Sequence, residues 1–140
     1  MGQIAQGLPS QPNYKAANYL MNLLEEKSVE EVRADMNTYF YKTYDYLGKS
    51  GELNTLGRVF LHSNRIEEAV LVFEFNFYFF RYDPYIIGSY ANGLAQLGDT
   101  KKAKELYERA LKIDPENKWV NKLYQELKGK EPELKESTLE

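Results

Sequence analysis

Apolar and polar residues alternate with helical spacing along most of the chain, and the pattern predicts helices that come in pairs. Ala17, Leu20, Leu23 and Leu24 recur every three or four residues, an apolar stripe on a helix over residues 13–27. Ser28, with Glu31 three residues on, forms a capping box that starts a second helix running to about Leu47. Val29, Val32, Met36, Tyr39, Phe40 and Tyr44 make its apolar side, and the stretch from Gly48 to Gly51 supplies the stop.

From Leu53 the pattern repeats itself. The first copy reads Leu53, Leu56, Gly57, Phe60, a turn at Asn64, then Ala69, Phe73 and Asn76. The second reads Ile87, Tyr90, Ala91, Leu94, Gly98-Asp99, Ala103, Tyr107 and Ala110, followed by Asp114-Pro115, and every matched pair keeps the interval that separates Ala69 from Ala103. Gly57 and Ala91 are small where two helices of a unit cross, and Ala69 and Ala103 are small on the facing helix, so the backbones can approach closely. Large residues such as Phe60, Leu94, Phe73 and Tyr107 fill the space beside those contacts.

A helix, turn and helix with a period of about 34 residues resembles the tetratricopeptide repeat (TPR). The resemblance implies an all-α fold, a stack of antiparallel helix hairpins wound as a right-handed superhelix, because such units cannot bury their apolar faces alone. Residues 51–83 and 84–115 are then two units. Residues 13–48 resemble a degenerate third, since Glu30-Glu31 precede Val32 much as Glu67-Glu68 precede Ala69, although the interval from Val32 to Ala69 is longer and valine is bulkier. Trp119, Val120, Leu123, Tyr124 and Leu127 give residues 116–129 one apolar face, the mark of a capping helix ended by Gly129. About seven helices result, in one domain over 13–129. Residues 1–12, with Gly2, Gly7, Pro9 and Pro12, read as a flexible leader, and the charged residues 130–140 as a disordered tail.

The run Glu52-Leu53-Asn54-Thr55-Leu56-Gly57, followed by Ile66-Glu67-Glu68-Ala69-Val70 and Phe73-Glu74-Phe75-Asn76, is similar to TPR segments at the carboxyl end of some bacterial serine hydrolases, esterase-like and β-lactamase-like. The similarity covers roughly Leu53 to Pro115. It implies an accessory domain that stabilises such an enzyme or recruits its substrate, and it carries over no nucleophile or base. One departure stands out. The family's proline after the second helix is replaced around Phe80-Arg81, and Asp83-Pro84 comes later, which predicts a longer helix there.

Composition narrows the function. With 140 residues the chain can build a core without staples, and the lack of cysteine removes disulfides, thiolate zinc sites and cysteine nucleophiles together. A net charge of −3 with both signs interspersed leaves no basic stripe for a phosphate backbone, so nucleic acid is not an expected partner. No stretch has the length and apolarity of a signal peptide or membrane span, and a cytoplasmic location is the default expectation. The single histidine, the absence of a glycine-rich phosphate loop, and serines without a nucleophile-elbow context point away from catalysis, cofactors and metals.

What remains is surface chemistry. The first helix of each repeat predicts a groove lined by Asn54, Arg58, Leu61 and His62 and by Tyr85, Ser89, Asn92 and Gln96, where Arg58 and Asn92 present donors suited to a peptide carboxylate or backbone. Phe73, Phe75, Phe77, Tyr78, Phe79, Phe80 and Tyr82 surround a helix on all sides. These rings either pack on the helix over residues 29–47 or form an association patch at Phe75, Phe77, Tyr78, Phe79 and Tyr82. The expected function is a non-catalytic module that binds a protein or peptide and can form a homodimer through that aromatic helix.

Overall fold

The computed structural model describes residues 14–48 and 50–139, with the backbone alone for residue 50 and residues 131–139. The leader expected over residues 1–12 lies outside them. The described residues are all-α, with eight helices and no strand. They divide into two compact units, one ending at Phe80 and the other beginning at Arg81. A single domain over 13–129 was the expectation from the apolar pattern; the units separate because contacts in a repeat architecture are made mainly between neighbours in sequence.

The first unit contains α1 (Lys15–Glu26), α2 (Val29–Ala34), α3 (Met36–Tyr46), α4 (Ser50–His62) and α5 (Ile66–Phe79). α1 buries Ala16, Ala17, Leu20, Met21, Leu23 and Leu24, as its stripe predicts. The expected helix from Ser28 to Leu47 is instead two. Asp35 leaves the helical region at φ −132° and ψ 48°, and its carboxylate accepts a hydrogen bond from Thr38 Oγ1 at 2.9 Å. Such local side-chain bonds compete with the helical ladder. The break lets α2 pack on α5 while α3 packs on α1. The Ser28 capping box forms as read: the Glu31 amide donates to Ser28 Oγ, and the Ser28 amide donates to the Glu31 carboxylate. That second bond holds the Glu31 carboxyl below its ordinary range.

α4 and α5 form a hairpin whose turn recurs in the second repeat, at the interval set by Ala69 and Ala103. Asn64 takes the left-handed conformation at φ 62°, and Gly98 takes it at φ 105°. The Arg65 amide donates to the Phe60 carbonyl at 2.8 Å, and the Asp99 amide donates to the Leu94 carbonyl at 2.9 Å. Asparagine and glycine are the two residues that enter this conformation at least cost, and both turns close the same way. The repeat thus extends from apolar spacing to individual backbone bonds.

α5 ends at Phe79 and α7 at Ile113, matched positions of the two repeats, so the longer helix predicted from the displaced proline does not occur. Phe80 turns out of the helix at φ −133° and ψ 57°, and Asp83 starts the next one by accepting hydrogen bonds from the Tyr85 and Ile86 amides, with Pro84 at the first helical position.

The second unit contains α6 (Pro84–Leu97), α7 (Thr100–Ile113) and α8 (Lys118–Leu139). α6 and α7 are the second hairpin, with Ile87, Ala91, Ala103 and Ala110 fully buried. α8 packs on both. It starts at Asn117, which is 3 % exposed: its Oδ1 accepts from the Val120 amide at 3.0 Å and its amide group donates to Asp114 Oδ2 at 3.3 Å. Asn117→Ala should therefore lower stability by about 1–2 kcal/mol, the usual worth of such a cap, read by urea denaturation followed through Trp119 fluorescence. α8 also passes Gly129, where the sequence pattern predicts a stop and a disordered tail. Among the described glycines only Gly98 adopts the left-handed conformation that ends a helix; Gly129 does not.

Candidate partner-binding surface

In the second unit, α6 presents Tyr85, Asn92 and Gln96 beside α8. Tyr85 is exposed and stacks on Trp119 of α8, ring centres 5.9 Å apart and planes at 24°. Trp119 lies across Gly88, where a Cβ would come within 2.8 Å of its ring and within 3.1 Å of Val120. Glycine is what lets α8 approach α6 so closely. Ser89, expected in the groove, is buried at 5 % exposure and offers nothing to a partner.

Asn92 is half-buried on α6. Its Oδ1 accepts from Gln96 Nε2 at 3.4 Å, and both carboxamides line an open cleft of about 560 Å³. Ala95, Tyr107, Leu123 and Leu127 give the cleft apolar walls, and Glu126 and Lys130 lie one helical turn apart at its α8 side. Burial, reinforced by the Glu126 charge, pushes the Tyr107 phenol well above its ordinary value, so it stays protonated. An apolar floor beside two neutral carboxamides suits a peptide: one side chain enters the cleft while its backbone meets donors and acceptors that carry no charge. Leu127 is buried and Leu123 half-buried, on the α8 face that the sequence pattern assigns to the packing side of the cap. Their helical spacing from Trp119 was the available signal.

In the first unit, Arg58 and His62 are exposed on α4, near its end. Asn54 is half-buried, and its Oδ1 is buried without a hydrogen-bond partner, so that oxygen is not offered outward. The six expected groove residues therefore fall as Asn54, Arg58 and His62 in one unit and Tyr85, Ser89 and Asn92 in the other.

The aromatic patch expected on α5 is corrected by burial. Phe75 and Phe77 are buried at 0 % and 9 % exposure. Phe40 of α3 stacks on Phe79 at 4.5 Å and meets Phe75 edge-on at 5.6 Å, and Tyr44 adds a contact to Phe79 at 5.8 Å. The intramolecular alternative holds for Phe75 and Phe79, which meet Phe40 of α3, and Phe77 is buried in the same unit. An ion pair between Arg33 and Glu74 at 2.8 Å ties α2 to α5 as well. Of the five residues, Tyr78 and Tyr82 remain exposed.

Among the described residues no group of three or more His, Asp or Glu is arranged to hold a metal ion, and no helix is long and apolar enough to cross a membrane.

Residues 87–117, which run from α6 through α7 to the cap of α8, match the Tetratricopeptide repeat family. The second hairpin is thus similar to tetratricopeptide repeats, which generally mediate protein–protein interaction. Compared with curated proteins, the chain matches none.

Proposed function

We propose that this chain is a non-catalytic interaction module that holds a peptide segment of a partner protein against α6 and α8. The observation that carries it is the cleft in which Asn92 and Gln96 face the apolar walls of Tyr107, Leu123 and Leu127. A cleft with few charges selects an apolar side chain in an extended or helical segment, and the Tyr85–Trp119 stack beside it on the same two helices extends the contact area with rings that lose little freedom on binding. Trp119 is the only tryptophan in the chain, so its fluorescence reports events on this face.

The test is to pan a random-peptide phage library against the full chain and titrate the selected peptides by Trp119 fluorescence. Peptides with a shared apolar residue are expected, and Asn92→Ala and Leu123→Glu, with circular dichroism unchanged, should each weaken them at least about tenfold. Selected peptides that bind both variants as they bind the parent would overturn the reading.

A second reading rests on the likeness of Leu53 to Pro115 to segments of serine hydrolases: an accessory role beside such an enzyme. A serine hydrolase encoded next to this chain should then melt at a higher temperature in its presence, and an unchanged melting temperature would count against it.

A further inference from the structure

Tyrosine is abundant in this chain, at 12 residues of 140, and cysteine is absent, so an oxidant that takes single electrons meets phenols and no thiol. Two of the phenols meet where α1 packs on α3. The Tyr19 ring lies 5.4 Å from the Tyr46 ring, centre to centre, with the planes tilted by 46°. Tyr46 is 45 % exposed, and Tyr19 is half-buried. Helical spacing sets Tyr39, Thr43 and Tyr46 on one side of α3, and Thr43, the small member, is fully buried. The Tyr19 phenol is pushed above its ordinary value, by burial first and then by the neighbouring Tyr39 and Tyr46 phenols. It therefore stays protonated near neutral pH, and its electron leaves together with its proton.

We infer that Tyr19 and Tyr46 are a dityrosine site, at which hydrogen peroxide, used by a haem peroxidase, joins α1 to α3 covalently. Each phenol gives up one electron and one proton, and the two phenoxyl radicals bond through the ring carbons next to their hydroxyls. The hydrogen on each bonded carbon then moves to the ring's oxygen, so both phenols are restored and the pair is lighter by two hydrogens. One hydrogen peroxide takes up the two electrons and two protons and leaves as two waters. Geometry favours this pair. Bonded phenol rings have centres only slightly closer than those of Tyr19 and Tyr46, and an exposed side chain such as Tyr46 moves between rotamers within nanoseconds. The Tyr107–Tyr124 contact is the contrast, since its ring centres are 6.3 Å apart and Tyr107 is 1 % exposed. Tyr41 and Tyr44 are more exposed than Tyr46, but they contact Phe40 and Phe79. They meet another phenol by collision between molecules, at a rate that falls on dilution, whereas Tyr19 stands beside Tyr46 at every concentration. The inference concerns the first unit and is independent of the peptide cleft, which belongs to the other.

The test is to oxidise the full chain, at low micromolar concentration, with a haem peroxidase and hydrogen peroxide. The product is read by dityrosine fluorescence on a denaturing gel and by mass after trypsin digestion. A fluorescent band at 16.3 kDa is expected, together with peptides 16–27 and 43–49 joined with the loss of two hydrogens. Tyr19→Phe and Tyr46→Phe, each with circular dichroism unchanged, should lower the fluorescence of that band at least about tenfold, because the remaining phenol then finds partners only on other molecules. Tyr44→Phe, in the same peptide as Tyr46, should leave it intact. Fluorescence that is missing from the 16.3 kDa band, or as strong there in Tyr19→Phe as in the parent, overturns the site. Loss of the joined peptide in Tyr44→Phe but not in Tyr46→Phe overturns it as well.

Discussion

Gly57→Leu should destabilise the chain by about 3 kcal/mol, the upper range for forcing extra carbons into a packed core. A Cβ at Gly57 would lie 2.3 Å from Cε1 of Phe73 and within 2.8 Å of two further ring carbons, where ordinary contact begins near 3.4 Å. The ring cannot step aside. Phe73 is 1 % exposed, in a core that also buries Leu53, Leu56 and Phe60 of α4 and most of α5. Gly57→Ala should cost less, because alanine recovers about 1 kcal/mol of helix propensity over glycine. The second hairpin shows what the same position tolerates: Ala91 stands there, fully buried, with Tyr107 in place of Phe73. Urea denaturation followed by far-ultraviolet circular dichroism measures both variants. Adding Phe73→Leu to Gly57→Ala should cost less than Phe73→Leu alone, a coupling that identifies the ring as the obstacle. A Gly57→Ala chain more stable than its parent would mean that α4 and α5 can part without loss.

The second large effect is expected at Glu52. Its side chain is buried at 1 % exposure, and among the described residues no cation pairs with it. Oε1 accepts from the Ala17 amide at 2.9 Å, and Oε2 accepts from the Gly48 amide at 2.9 Å. Ala17 is in the first turn of α1, where amides have no partner within the helix, and Tyr14 caps that end with no side-chain hydrogen bond. Glu52 caps α1 from another helix. Its charge also faces the positive end of the α1 dipole. Glu52→Ala removes two charge-assisted bonds and leaves two amides unsatisfied, so a loss of about 3 kcal/mol is expected, with Glu52→Gln losing roughly half because one carbonyl oxygen survives to accept. On a unit of this size the alanine variant should melt at least about 10 °C lower. Equal melting temperatures for the parent and Glu52→Ala would show that water serves the two amides as well as the carboxylate does.

Much of the fold was legible because it is repeated. Gly57, Ala69, Ala91 and Ala103 mark close helix approaches, and the interval between the copies carries through to the turn bonds at Arg65 and Asp99. What escaped the pattern was set by contacts distant in sequence or by one local bond. Asp35 breaks a helix whose apolar spacing runs on unbroken, because the competing bond from Thr38 leaves no trace in periodicity. Glu52 looks like an ordinary acid of a first helical turn, and only its tertiary placement makes it the cap of α1. The rings of α5 gave no indication of which side would be covered, since apolar residues on every side erase the stripe that orients a helix. At the candidate cleft, Leu127 is buried as its place on the apolar face of residues 116–129 implies, and Leu123 is half-buried in the wall, because a cleft wall and a core face have the same spacing.

The link from Glu52 to Ala17 spans 35 residues, whereas the turn bond from Arg65 to Phe60 spans five. Closing a chain loop costs entropy that grows by about 0.6 kcal/mol with each doubling of its length. Hairpin α4–α5 can therefore assemble from neighbouring residues at small cost, and it carries on its own first turn the acceptor that receives α1. On loop length alone, the hairpin is the cheaper of the two closures and α1 the costlier. A lesion at Glu52 strikes the long closure, while a lesion at Gly57 strikes the hairpin itself.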